Sequence, residues 1–206
     1  MIANKTILID VDSVLLKWRK GFRTYMEHQG HEWIDTDSEY YLVSKHYDLL
    51  HDDVVEHMMI FNNGHWEFGT LEPVTGSQEA IKELTNMGFR FVAISSCSTN
   101  PTAIALRKAN LYNVFGDIFD AVHCVEVHTS KETHLASYEP AFWIEDNFKN
   151  CIDGIKYGHK CILLEYPWNM DDTSFEITVC HDWKNIVRHI KKEINWDDNI
   201  VHYKKK

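Results

Sequence analysis

Residues 6–18 read TILIDVDSVLLKW, and they place two aspartates one residue apart inside an otherwise apolar run. Ile7, Leu8, Ile9 and then Val11 are apolar without the polar alternation of a half-exposed strand, so the run predicts a strand covered on both faces. Asp10 then sits at or near the strand end. In open parallel α/β sheets that edge is where ligands bind, because loops and helix N-termini converge beyond the carboxyl ends of the strands. An aspartate after a strand is also an ordinary turn or capping residue. One cap needs only one aspartate, so the pair points towards a site.

Composition bounds what such a site can serve. A chain of 206 residues has room for one α/β domain, or for such a domain carrying a modest insertion. A formal charge of −10 argues against wrapping a nucleic acid polymer, which takes a basic face to displace counterions. The basic run HYKKK at 202–206 reads as a solvated tail. Cys97, Cys124, Cys151, Cys161 and Cys180 are odd in number and form no CxxC pair, a pattern of reduced thiols more than of a disulfide framework. No apolar run approaches the ~20 residues of a membrane span, and MIANKTILID enters a strand without a signal-peptide pattern. The expectation is a soluble cytoplasmic protein with no membrane contact.

Outward from the first strand, Leu15, Trp18, Phe22, Tyr25 and Met26 recur at helical spacing up to Gly30. Residues 31–71 carry two helix-like stretches dense in His, Trp, Tyr and Asp, and no strong strand, which predicts a small helical insertion. The α/β rhythm then resumes, with a helix over 77–87, a strand over 89–94, a helix near 102–109 and a strand near 121–127. AFWIED and KCILLE read as strands flanking the helix of NFKNCIDGIKYG, and FEITVC as a last strand before the helix DWKNIVRHIKKEI. Alternating strands and helices imply a parallel sheet covered on both faces.

Polar groups collect at the predicted strand ends in a consistent order: Asp10 and Asp12, Ser95 and Ser96, Lys131 in HTSKET, then Glu145 and Asp146. A parallel sheet points all these ends to one edge. The set suits phosphoryl transfer. A carboxylate can attack phosphorus, a second can protonate the leaving oxygen and later activate water, and a hard cation such as Mg²⁺ takes oxygen ligands of the kind Asp10, the Val11 carbonyl and Asp146 offer. A serine hydroxyl and a lysine can hold phosphate oxygens.

DVDSV resembles the DxDx[TV] signature of the haloacid dehalogenase-like phosphatases, with Ser95 or Ser96 at the second motif, Lys131 at the third and IED at the acidic fourth. The resemblance implies a Rossmann-like parallel core over 1–16 and 72–206 and a helical cap over 17–71. It implies Asp10 as nucleophile and Asp12 as general acid/base. Mg²⁺ would be held by Asp10, the Val11 carbonyl or, if the register shifts, that of Asp12, together with Glu145 or Asp146. A closer resemblance is to the 5'(3')-deoxyribonucleotidases, carried by YLVSKHYDL, HWEFGTLEPVTGSQEAIKEL and HDWKNIV. In that family cap aromatics enclose the nucleobase, and Trp18, Tyr41 and, with one gap, Phe61 match lining positions. An aromatic at helical spacing is equally a core residue.

The chain departs from that family at Glu145-Asp146-Asn147, where the family has two aspartates and an arginine, and in SSCSTNPTAIALRKA, which lacks a lysine-rich stretch. Ser96 and Cys97 fall on the family's adjacent pair if the register shifts by one, so Ser95 and Ser96 both stay open. The 13 histidines form no HExxH-type pair, and no glycine-rich dinucleotide or P-loop fingerprint occurs, which disfavours a transition metal, NAD or ATP. The expected partner is a small phosphate ester, a nucleoside monophosphate by resemblance, with a homodimer open. The alternatives are another small ester such as a sugar phosphate, or a non-catalytic binding protein on the same fold.

Overall fold

The computed structural model describes residues 5–35, 42–172 and 174–195. Its centre is a six-stranded, all-parallel sheet. The strands are β1 (Thr6–Ile9), β2 (Arg90–Ser96), β3 (Phe119–Val125), β4 (Phe142–Glu145), β5 (Lys160–Leu164) and β6 (Thr178–Cys180), in the spatial order β3-β2-β1-β4-β5-β6. The α/β Rossmann-like architecture read from the sequence is the one observed.

Alternate residues of the central strands feed two separate apolar layers. Ile7, Ile9, Phe91, Ala93, Phe142, Ile144 and Ile162 belong to one layer, and Leu8, Val92, Ile94, Trp143, Cys161 and Leu163 to the other. That is the physical reason for the unbroken apolar run in β1: both faces exclude water, and each fully buried aliphatic contributes about 1.5–3 kcal/mol. The first layer is closed by α1 (Trp18–His28), α3 (Ser77–Asn86), α4 (Pro101–Phe115) and α7 (Trp183–Glu193). The second is closed by the short α5 (Glu132–Leu135) and by α6 (Phe148–Ile155).

Helix α1, the 3₁₀ turns Val43–His46 and Trp66–Gly69, and α2 (His51–Gly64) make up the helical insertion. It has its own aromatic core: Trp18 stacks on Phe22 at 4.9 Å, Phe22 meets Phe61 at 5.6 Å, and Phe61 meets Phe68 at 5.7 Å. The chain leaves and re-enters the sheet side by side, Lys17 N donating to Glu72 O at 2.8 Å. Where the insertion returns, Gly69 lies so close to α4 that a Cβ there would stand 2.8 Å from Leu106.

Of the boundaries that differ from the sequence reading, two have a plain physical cause. Helix α4 runs on to Phe115 because the apolar positions Leu111, Val114 and Phe115 extend its packed face. The last strand begins only at Thr178, and Phe175 is 99 % exposed: the start of FEITVC has no neighbour to pack on.

Candidate active site

The strand order reverses between β1 and β4, and such a switch point leaves a crevice beyond the strand ends. Asp10 closes the ladder there, its backbone N–H donating to Ile144 O at 2.9 Å, and Glu145 ends β4 beside it. A cleft of about 370 Å³ opens above, within the range of small-molecule sites. Asp10, Asp12, Ser96, Lys131, Glu145 and Asp146 line its floor.

Lys131 is the hub of one half of the floor. Its ammonium lies 2.6 Å from Asp10 Oδ1 and donates to Glu145 Oε2 at 2.9 Å, with only 2 % of the side chain exposed. Burial works against its charge, and the carboxylates of Asp10 and Glu145 more than restore it, so Lys131 stays protonated. The carboxyl groups of Asp10 and Asp146 are both pushed well above the ordinary aspartate range, first by burial and then by the charge of Glu145. Glu145 goes the other way: despite burial, the Lys131 ammonium holds it below its usual value.

Asp10, Glu145 and Asp146 bring carboxylate oxygens within 4.8 Å of one another. Their hydrogen bonding is unequal. Glu145 Oε1 accepts from the backbone N–H groups of Asp146 (3.0 Å) and Asn147 (3.1 Å), and Oε2 accepts from Lys131 and from Asn150 Nδ2 (3.0 Å), which uses all of its lone pairs. Asn147, standing where the resembled family has arginine, caps α6 by accepting from Lys149 N at 3.0 Å and Asn150 N at 3.4 Å.

Asp12 belongs to a second cationic centre. Nη2 of Arg107, a wholly buried residue of α4, donates to Asp12 Oδ1 at 2.7 Å and to Oδ2 at 2.8 Å, and Ser95 Oγ donates to Oδ2 at 3.3 Å. Burial raises the Asp12 carboxyl above its ordinary value, and Arg107 offsets part of that rise. Adjacent strand residues point to opposite faces: Ser95 is fully buried under Asp12, whereas Ser96 is half-buried and lines the cleft.

Two expectations change. The Val11 carbonyl accepts from the N–H groups of Leu15 (2.9 Å) and Leu16 (2.8 Å), which bend the chain out of β1, so it is not available to a metal; among the described residues none donates to the Asp12 carbonyl. Phe61 does not line the cleft: it is fully buried in the aromatic core, since Phe22 and Phe68 enclose it. Trp18 does line the cleft, 8 % exposed, its indole N–H donating to Asn62 Oδ1 at 2.9 Å. Tyr41 lies outside the described residues.

Sequence reasoning missed two contributors. Arg107 carries a signal of its own: with Ala103, Asn110 and Leu111 it occupies the inward face of α4, where a charge has no reason to be unless something buried answers it. Trp168, which lines the cleft from the loop after β5 with its ring 4.5 Å from the Arg19 guanidinium carbon, follows no periodicity and had no signal. Among the described residues no helix is long and apolar enough to cross a membrane.

No protein-family model matches the chain, and no curated protein matches it. Solved structures do. CbbY from Rhodobacter sphaeroides in complex with phosphate superposes with a TM-score of 0.56 at 18 % identity, over 88 % of this chain and 96 % of that one. A Had-superfamily hydrolase from Ehrlichia chaffeensis gives 0.55 at 18 %, over 95 % and 100 %. D,D-heptose 1,7-bisphosphate phosphatase from B. bronchiseptica, complexed with magnesium and phosphate, gives 0.57 at 13 %, over 92 % and 99 %. At these identities the likeness is one of architecture, and the chain has the haloacid dehalogenase-like fold: a Rossmann-like parallel sheet between helical layers, with a helical insertion after the first strand.

Proposed function

We propose that the protein is a metal-dependent phosphomonoesterase acting on a small phosphate ester. The observation that carries this reading is the meeting of three buried carboxylates and one buried lysine at the switch point of the sheet. Ionised together, the three carboxylates would outnumber the one ammonium, and a buried excess of negative charge is costly unless a cation answers it. The donor set consists of hard oxygens, which suits Mg²⁺. Glu145 has its lone pairs filled, so Asp10 and Asp146 are the side chains that would hold the ion, with the Asp12 carbonyl as the backbone ligand. When bound, the ion supplies positive charge against the phosphate oxygens and draws Asp10 into its ionised form.

The chain's own residues then divide the work. Asp10 attacks phosphorus, the bond to the leaving oxygen breaks with its electron pair going to that oxygen, and Asp12 delivers a proton to it. Asp12, now a carboxylate, takes a proton from water, which attacks the aspartyl-phosphate and releases phosphate and Asp10. Lys131 orients Asp10 and offsets charge on the transferring group, and Ser96 donates to a phosphate oxygen.

The substrate we infer is a nucleoside monophosphate, a reading supported by Trp18, Val43, Val55 and Met58 along the cap wall of the cleft. A sugar phosphate is the second reading: withdrawal of Phe61 into the cap core leaves fewer aromatic surfaces for a base. Phosphate release from deoxyribo- and ribonucleoside monophosphates beside sugar phosphates, with Mg²⁺ and with chelator, separates them. Turnover concentrated on nucleotides supports the first, turnover on sugars the second, and a folded protein inert to all of them would make this a binding protein.

A further inference from the structure

Arg107 is fully buried, yet the oxygens it bonds belong to one side chain. A single nitrogen, Nη2, spans both carboxylate oxygens of Asp12 at 2.7 and 2.8 Å. Among the described residues its buried Nε and Nη1 have no nitrogen or oxygen partner; besides Asp12 the guanidinium faces sulfur, the Cys97 thiol in hydrogen-bonding contact and Cys124 near enough to feel its charge. The guanidinium carbon stands 4.3 Å from the ring of Phe68, in the turn by which the insertion returns to the core. A buried guanidinium answered by one carboxylate and otherwise by sulfur is a poor way to stabilise a fold, since an apolar side chain of similar volume would serve at lower cost. What the arrangement supplies is direction. A carboxylate offers about four lone-pair sites; Nη2 takes two of Asp12's and Ser95 Oγ takes one, leaving one on a residue that lines the cleft.

We propose that Arg107 is the positioning residue for Asp12: it grips both carboxylate oxygens from the core side, so that the remaining lone pair is aimed at the leaving-group oxygen. This rests on the phosphomonoesterase reading above. As the P–O bond breaks, the proton leaves that lone-pair site of Asp12 for the departing oxygen, and the carboxylate left behind is already paired with Arg107. Phe68 backs the guanidinium, which ties the aim of Asp12 to the seating of the insertion.

The test compares kcat/KM, which reports the first chemical step, on two aryl esters of like shape. p-Nitrophenyl phosphate expels an anion that needs no proton, and phenyl phosphate expels one that does. With Mg²⁺ present, Arg107→Met is expected to lose on the order of a hundredfold on phenyl phosphate and less than about tenfold on p-nitrophenyl phosphate, as the loss of a general acid predicts. Its cooperative thermal melting shows that the fold is kept. Arg107→Lys keeps the charge without the bridge across both oxygens, so it gives the same selectivity at smaller size, and it carries the test if the methionine variant does not fold. Equal losses on the two esters, or no loss, would overturn the proposal while leaving the functional reading in place. A folded wild type inert to both esters would overturn both.

Discussion

The ammonium of Lys131 lies 2.6 Å from Asp10 Oδ1, joining the loop after β3 to the end of β1 through the floor of the cleft. Because Lys131 also reaches Glu145 at the end of β4, three chain segments are locked at one point. Removing one partner of such a buried pair costs about 3–5 kcal/mol, because the remaining charge is stranded. Lys131→Met is therefore expected to lower the urea midpoint substantially as well as to remove turnover. A variant as stable as wild type would contradict the ion-paired geometry.

On the proposed function, Asp146 holds the metal and Glu145 does not. Asp146→Asn is expected to abolish the rise in melting temperature that Mg²⁺ gives, whereas Glu145→Gln, although less stable, keeps a measurable rise. A ligand at a hundred times its Kd stabilises by about 2.7 kcal/mol, well within the reach of a thermal scan. The reverse order would make Glu145 the direct ligand.

Phe61 and Trp18 test the reading of the cap. Phe61→Ala removes a fully buried ring from the aromatic core and is expected to cost about 3–5 kcal/mol. Trp18→Phe, at the cleft wall, is expected to raise KM for the preferred substrate with a smaller stability loss. Urea titration and steady-state kinetics on both variants check this. A specific KM effect from Phe61→Leu in a stable protein would return Phe61 to the substrate.

His159 predicts a pH dependence remote from the cleft. Its Nδ1 accepts from Ala141 N at 3.2 Å and its Nε2 donates to Leu135 O at 2.9 Å, so the folded protein holds the neutral ring. Burial lowers its pKa below the ordinary 6.5, partly opposed by the Leu135 carbonyl. The unfolded chain therefore takes up this proton first: the contribution is full above pH 6.5 and is lost as pH falls through the lowered value. The drop in urea midpoint between about pH 7.5 and about pH 5.5 is expected to be smaller in His159→Gln than in wild type. Identical drops would exclude His159 as a cause.

The parts of the site that follow one strand per ligand were legible before the structure. Asp10, Lys131 and Glu145-Asp146 are polar residues at or just beyond the ends of apolar runs, and a parallel sheet has only one edge at which to gather them. Ser95 and Ser96 could not be separated by sequence, because the choice depends on which face of β2 each takes. Arg107 was hidden for another reason: beside Lys108 in ALRKAN it looks like solvated surface until the inward register of Ala103, Asn110 and Leu111 is known. Asn110 on the same face bonds both backbone groups of Leu71, at 3.0 and 3.1 Å, so α4 anchors the returning chain as well as Asp12. The Val11 carbonyl was misread because only three-dimensional tracing shows the chain turning back on itself there.

Asp10 as nucleophile is the centre of the proposed mechanism. The most direct measurement is phosphate release from the panel of nucleoside monophosphates and sugar phosphates by wild type and Asp10→Asn, with Mg²⁺ and with chelator. Mg²⁺-dependent release by wild type and none by the variant, which melts cooperatively, is the expected result. Release by Asp10→Asn at a rate near that of wild type would contradict it.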